Sequence, residues 1–368
     1  MIRVRAPGRI NLFGEHQDYL NYPVIAMSIS KYIYITAEKT SGSTLSIELS
    51  DLNEHIEIKL NNKELEYLSK RDYLRSAYNQ YLRQGFRFQK GYKVRITGDI
   101  PINAGAASSS ALVIAWLFFL NLISRNRQKI NKYQLSIMGY DTEVTEFNEG
   151  GGMMDHFTSV YGGLIYLQPN KKGPKVINKN IKLDGFVLGN SLEKKETVED
   201  LFKVKDITKK AFTEIKKIMP NFNQYLTSLE EVKKFLPNVK KEYQKKIIGN
   251  IINRDITIKA KNLIFNNSFD EKFKDNKFKN NFYIKLGSLL NKHHYQLKEN
   301  IEVSTEKIEN MISNCLEAGA LGAKINGSGF GGTMFAFFPN NEDRLVKSIE
   351  KVGGEAFKIE TSNGVETY

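Results

Sequence analysis

Arg9, Glu15, His16 and Asp18 crowd around Gly14 in the stretch GRINLFGEHQDY, residues 8–19. Carboxylates at 15 and 18 can accept hydrogen bonds from the hydroxyls of a polyol, and a guanidinium at 9 can neutralise developing negative charge. The same carboxylates could instead cap the next turn, and His16 alone is equally compatible with a neutral structural histidine. A second stretch, PINAGAASSSAL over residues 101–112, suits an anion. Ala104, Gly105, Ala106 and Ala107 are small enough for backbone N–H groups to approach a phosphate. Ser108, Ser109 and Ser110 then stand at a helix start, where unpaired N–H groups and the positive dipole end favour negative charge. Serine is also simply a good N-cap, and no Gly-Lys-Ser/Thr follows the glycine, so this is not a Walker loop.

Two further stretches carry candidates. In GGGMMDHFTSVYGG, residues 150–163, Asp155 follows three glycines and two methionines at an expected helix start. A carboxylate there is partly desolvated, and therefore functional or paired. Upstream, Glu143 and Glu146 lie three residues apart on one expected helical face, where either could hold Mg²⁺ through oxygen or simply face solvent. In GALGAKINGSGFGGTMFAFF, residues 319–338, glycines at 327, 329, 331 and 332 allow backbone to approach another loop or a phosphate.

The elements that must position these residues can be read from apolar spacing. Alternation predicts strands over 2–5, 32–38, 45–49, 55–60 and 92–97, the last running into the small-residue turn. A helix is expected over 72–85, and the apolar run ALVIAWLFFLNLI, residues 111–123, continues the serine-capped helix. Residues 198–265 read as helical with breaks at Pro220 and Pro237; further helices are expected over 282–300 and 306–319, and strand, glycine turn, strand over 323–338. Strands, then helices, then strands again indicate an α+β protein. A boundary is expected in the Lys-, Asn-, Gly- and Pro-containing stretch 171–180, dividing the chain into 1–178 and 179–368. The final strand could belong to either part.

Of the 368 residues, 41% are hydrophobic and 26% charged, the balance of a soluble globular protein long enough for two cores. The longest apolar run, 13 residues, is too short for a bilayer, the N-terminus has no apolar signal-like region, and the single cysteine, Cys315, fits a reducing compartment. Cytoplasm is the expectation, with no membrane partner. The net charge of +13 comes from 54 Lys and Arg against 41 Asp and Glu. Most of the excess lies on lysines with helical spacing, which reads as solvated helix faces; no nucleic-acid motif accompanies it.

The four motifs in this order resemble the superfamily of galactokinase, homoserine kinase, mevalonate kinase and phosphomevalonate kinase, and galactokinases most closely. Residues 8–19 resemble the galactokinase signature, with Gln17 where threonine is usual; residues 101–112 resemble the superfamily's phosphate loop, GSGFGG its C-terminal motif, and residues 289–312 galactokinase sequence. The resemblance implies a two-domain fold with the active site in the cleft between the domains, ATP and Mg²⁺ as cofactors, a small-molecule sugar as acceptor, and a monomer or weak homodimer. It implies roles too. Asp155 would be the base or orienter for the attacking hydroxyl, with Arg9 beside it; Glu15, His16 and Asp18 would touch the sugar. Residues Gly105, Ala106, Ala107, Ser108 and Ser109 would form the phosphate loop, and Ser110 with Glu143 would be associated with Mg²⁺, Ser109 and Glu146 being the alternatives. The implied reaction transfers the γ-phosphate of ATP to the anomeric hydroxyl of a hexose, galactose first.

Departures from the galactokinase pattern keep other acceptors open. The phosphate loop is one residue longer, with Asn103 and Ala107 where glycine and leucine are usual; LNYPVIAMSI after Tyr19 looks more like mevalonate kinase. Residues 190–201, NSLEKKETVEDL, lack the Glu-Tyr-Asn cluster that supplies a tyrosine to the sugar. Galacturonate, read by Lys194 or Lys195, N-acetylgalactosamine, arabinose and mevalonate remain alternatives, as does a non-catalytic sugar sensor. Mevalonate is disfavoured by Arg9, where mevalonate kinases tend to carry lysine.

Overall fold

The computed structural model describes residues 1–102, 104–125, 130–170, 172–193, 197–266 and 269–368. Lys194, Lys195 and Asn103 lie outside the described residues.

Twelve strands among the described residues form two sheets. The first contains β1 (Ile2–Phe13), β2 (Val24–Lys39), β3 (Thr44–Leu49), β4 (Glu54–Lys59), β5 (Tyr92–Gly98), β6 (Leu164–Gln168), β7 (Lys175–Lys179) and, from the far end of the chain, β12 (Glu366–Thr367). Its order is β12-β1-β2-β5-β3-β4, with β6 also on β2 and β7 on β6. The second contains β8 (Phe186–Asn190), β9 (Gly322–Asn326), β10 (Thr333–Phe337) and β11 (Glu355–Ile359), in the order β11-β8-β10-β9. All pairings are antiparallel except β3 with β5.

β1 is much longer than the alternation over 2–5 suggested. It runs through Pro7 and Gly8 to Phe13, with register shifts against β2 between Pro7 and Arg9 and between Asn11 and Phe13. Such bulges absorb a residue that cannot sit in a regular ladder and re-aim its neighbours. Residues 8–13 of the first motif are therefore strand, and Arg9 projects from it.

The helices are α1 (Tyr73–Arg83), α2 (Ser108–Ile123), α3 (Lys132–Tyr140), α4 (Met154–Tyr161), α5 (Thr197–Ile218), α6 (Leu229–Lys233), α7 (Lys241–Ile264), α8 (Phe269–Lys272), α9 (Asn276–Gln296), α10 (Glu306–Glu317) and α11 (Glu342–Lys351). Pro220 and Pro237 fall in the breaks between α5, α6 and α7. α3 and α9 each run into a π-helical turn, Asp141–Thr145 and Leu297–Ile301. α2 is apolar on nearly every face, and it is buried accordingly: Val113, Ile114, Trp116, Leu117 and Leu120 are inaccessible or nearly so. It packs under the first sheet against Val4, Ile35, Val94 and Tyr78. A second core joins the sheets: Ile10, Phe13, Met27 and Leu164 of the first meet Phe186, Leu188, Phe335 and Phe337 of the second, with Ile256 of α7 and Leu286 and Leu290 of α9. Among the described residues no helix is long and apolar enough to cross a membrane.

Candidate active site

The phosphate-loop stretch lies across β1. Arg9 N–H donates to the Ala106 carbonyl at 3.1 Å, and a Cβ on Gly8 would come within 2.7 Å of that same oxygen, so only glycine permits the crossing. Gly105 (φ +86°) and Ala107 (φ +63°) are both left-handed, an alternation that turns successive N–H groups toward one concavity and suits an anion. Ala107 adopts this without glycine's freedom, at a cost of about 1–2 kcal/mol. Ser108 and Ser109 follow at the open end of α2, and Ser110 is buried.

Arg9, 5% exposed, connects this loop to the mid-chain aspartate. Its Nε and Nη2 donate to Asp155 Oδ1 and Oδ2, each at 2.8 Å, and its Nη1 donates to the Gly105 carbonyl. The planar guanidinium thus fixes both carboxylate oxygens in one bidentate pair. Asp155 sits in the first turn of α4, where the helix dipole favours its charge, and retains 25% side-chain exposure against 7% for Arg9. The carboxylate is the solvent-facing partner.

Glu143 lies in the π-helical turn after α3, with Oε2 accepting from Ser110 Oγ at 2.7 Å and standing 2.7 Å from His156 Nε2. Burial works to raise its pKa, but the hydrogen bond and charge of His156, together with the Ser110 and Ser109 hydroxyls, outweigh burial and hold it below the usual carboxylate range. Glu146 points elsewhere: it takes hydrogen bonds from Arg83 at 2.7 Å, Tyr67 at 2.5 Å and Gln80 at 3.2 Å. The two glutamates expected on one helical face are separated by the π-helical turn, and Glu143 alone meets a phosphate-loop serine. Among the described residues no cluster of three or more His, Cys, Asp or Glu could hold a metal by itself. One carboxylate and one hydroxyl at the mouth of a phosphate loop nonetheless fit Mg²⁺, which keeps several waters and draws its other ligands from substrate phosphates.

The remaining members of the first motif occupy four settings. Glu15 is buried and paired with Lys324 of β9, whose Nζ also donates to the carbonyls of Asn11 at 3.0 Å and Ile325 at 2.8 Å. Burial pushes the Glu15 carboxyl up and the Lys324 ammonium down, against the attraction of the pair. Behind them, Gly14 N–H donates to His293 Nε2 at 3.1 Å, which places the ring proton on Nδ1, 3.7 Å from Glu15 Oε2; burial first, and then the charge of Lys324, hold His293 neutral. His16, left-handed at φ +58°, reaches the Ser328 carbonyl at 2.9 Å. Asp18 faces the glycines of the third motif so closely that a Cβ on Gly152 would overlap its Oδ2 at 1.8 Å. Burial, and then the negative charge of Asp155, raise its pKa. Gln17, the departure from threonine, is fully buried and spans to α7, donating to the Asn250 carbonyl at 3.1 Å and accepting from Thr257 Oγ1 at 3.2 Å.

The C-terminal glycine turn holds the phosphate loop through residues that sequence reasoning did not single out. Asn326 Nδ2 donates to the Gly105 carbonyl at 3.1 Å while its Oδ1 accepts from Asn11 N–H at 2.9 Å; Thr333 Oγ1 donates to the Ala104 carbonyl at 2.8 Å. These two side chains bracket the glycines at the ends of β9 and β10, and that position is the only sequence signal they offered. Lys324, His293 and His156 were also missed; His156 adjoins Asp155, and a polar residue next to a candidate base was the available clue.

The Galactokinase galactose-binding signature matches residues 2–39, the GHMP kinases N terminal domain residues 72–163 and the GHMP kinases C terminal domain residues 277–355. A galactokinase of Thermococcus kodakarensis is 26% identical, with 99% of each chain covered, and a mevalonate kinase of Thermococcus sibiricus is 28% identical over 95% of this chain and 92% of that one. Among solved structures, the Lactococcus lactis galactokinase complexed with galactose superposes with a TM-score of 0.81 at 21% identity, covering 99% of this chain and 94% of its own. A Methanococcus jannaschii mevalonate kinase gives 0.68 at 19% identity, covering 98% of each. With its phosphate loop, arginine–aspartate pair and C-terminal glycine turn in this common frame, the chain belongs to the GHMP kinase superfamily as a galactokinase-like member and is an ATP-dependent phosphotransferase.

Proposed function

We propose that this protein is a sugar kinase that transfers the γ-phosphate of ATP to the anomeric hydroxyl of a hexose, galactose first. The observation that carries this reading is the bidentate Arg9–Asp155 pair, tied through Gly105 to the phosphate loop and standing beside Asp18. The match of residues 2–39 to a galactose-binding signature supports the choice of acceptor.

Phosphoryl transfer has a loose transition state, so positioning and charge neutralisation supply most of the catalysis. Asp155 accepts the proton of the attacking hydroxyl; Arg9 holds the carboxylate toward it and offsets charge on the transferred group. The N–H groups from Gly105 to Ser109 grip the nucleotide phosphates. Asp18 and His16 receive the sugar hydroxyls, and Glu15, held from behind by Lys324, sets the loop that carries them. Ser110 and Glu143 would hold Mg²⁺, which when bound neutralises phosphate charge. The division into parts 1–178 and 179–368 puts the acceptor and phosphate loops in the first and the clasping glycine turn in the second.

Release of ADP, measured by a coupled assay over galactose, galacturonate, N-acetylgalactosamine, arabinose and mevalonate, tests the assignment. Turnover with galactose well above the others is expected. Mevalonate is the second reading, favoured by relatives of that name at 26–28% identity over most of this chain; turnover with mevalonate alone would replace the hexose assignment. Sugar binding without any ADP release would instead support a sensor.

A further inference from the structure

We propose that His156 is a positioning residue for the divalent cation that accompanies the nucleotide, acting by fixing the carboxylate of Glu143; this rests on the kinase reading above.

The geometry leaves His156 little else to do. It is 1% exposed on α4, and its one hydrogen-bonding contact among the described residues is Nε2 to Glu143 Oε2 at 2.7 Å. A carboxylate oxygen only accepts, so Nε2 carries a proton and donates. The same Oε2 accepts from Ser110 Oγ at 2.7 Å. Two donors on one oxygen restrict the carboxylate's rotation and so hold Glu143 in one orientation beside the phosphate-loop serines.

The ring is itself held in place. Tyr140 meets it edge-on with centroids 6.0 Å apart, and Gly139 gives it room, since a Cβ there would lie 3.1 Å from His156 Cδ2. Glu143 sits in a π-helical turn, a local departure from regular helix of the kind that re-aims a side chain. Such a turn does not fix a side chain by its own backbone pattern. The imidazole supplies the missing constraint.

His156 also follows Asp155 directly. One turn of α4 therefore sends one side chain to the arginine of the phosphate loop and the next to the carboxylate beside its serine, setting the proposed base and the proposed cation ligand from a single rigid segment. Outer partners that hold a ligand carboxylate typically change metal affinity by about 10–100-fold when removed.

The test uses two substitutions in the full chain. His156→Phe keeps a ring against Tyr140 and Gly139 but deletes the donor; His156→Gln shortens the ring to an amide that can still donate. Mn²⁺ binding to the protein–ADP complex, followed by electron paramagnetic resonance, is measured beside the affinity for metal-free ADP and the melting temperature. The expected result is Mn²⁺ affinity lowered by about 10-fold or more in His156→Phe, recovery of most of it in His156→Gln, and an unchanged affinity for metal-free ADP in both. Wild-type Mn²⁺ affinity in a folded His156→Phe protein overturns the proposal, as does equal loss in both variants, which would mark a packing role. If His156→Phe does not fold, His156→Leu, which also lacks the donor, takes its place: lowered Mn²⁺ affinity with metal-free ADP affinity unchanged supports the role, whereas wild-type Mn²⁺ affinity overturns it. Failure of the wild-type protein to bind Mn²⁺ with ADP would sink the kinase reading itself, and with it this one.

Discussion

The chemistry proposed for this protein concentrates in two adjacent ion pairs that differ in what they face. Arg9–Asp155 is a partly open pair whose carboxylate meets solvent, whereas Glu15–Lys324 is closed off beneath it. An open carboxylate can exchange a proton with an incoming hydroxyl. A closed one shapes the loop above it. Asp155→Asn is therefore expected to lower turnover by roughly 10² or more, with the fold retained, as circular dichroism and melting would establish; full activity in this variant would remove Asp155 from the role of base. His156, Lys324 and His293 were not legible in the sequence for a simple reason. Lys324 acquires its meaning from Glu15 and His293 from Gly14, partners far off in the chain, and His156 from Glu143 through a π-helical turn; no spacing encodes those meetings.

Among the elements, β1, α2 and the β9–β10 turn form the frame that the four motifs had announced separately. The apolar helix and the glycine turn were legible because each is local: a helix start after small residues, and a strand broken by glycines; the expected serine cap is not formed, since Ala107 is the N-cap of α2 and no side chain caps it. The length of β1 was not, because Pro7 and Gly8 interrupt its alternation and the bulges that accommodate them depend on β2. The π-helical turn after α3 was equally hidden, since a regular helix and one with an inserted residue have nearly the same composition. Thr333→Val tests the frame: it deletes the buried donor to the Ala104 carbonyl, which costs about 1–3 kcal/mol for an acceptor left unsatisfied. A lower melting temperature and weaker ADP binding are expected, with little change in sugar binding. A second test concerns α10. Burial acts to raise the pKa of Glu309, but His294 at 3.0 Å, Ser304 and Lys298 at 3.3 Å hold it down to about 2 from an ordinary value of 4.5. A depressed carboxylate stabilises the fold fully above its unfolded value and loses that contribution as pH falls. Glu309→Gln should therefore narrow the stability gap between pH 5 and pH 2, read from urea midpoints across that range, whereas an unchanged acid profile would mean that the ion pairs are not formed in solution.

At the scale of the molecule, the two sheets share a core instead of meeting across a thin linker, and the phosphate loop is clasped from both: by β1 through Arg9 and by β9 and β10 through Asn326 and Thr333. The order of the expected elements pointed to an α+β chain and its length to two parts, but neither carried information on this interlocking, which arises from tertiary contacts alone. Cys315 of α10 is buried against the second sheet among Met311, Ile325, Met334 and Leu345, where burial pushes its thiol up to about 12. It should resist a thiol reagent such as dithionitrobenzoate at pH 8 in the native protein and react within minutes in denaturant. Rapid reaction without denaturant would show that the core opens far more readily than its burial implies.

The pairing of β12 with β1 has a consequence for how the protein is made. Val4 and Arg5 lie opposite Thr367 and Glu366, and Arg5 donates to the Glu366 carboxylate at 2.9 Å. Translation produces β1 before α1–α11, yet the strand that covers its outer margin leaves the ribosome only after all of these helices have been synthesised. Throughout elongation the nascent chain carries an open sheet margin able to recruit foreign strands, so a holdase, or a slow pace of synthesis, would be expected to raise the yield of soluble protein more than any change within the active site.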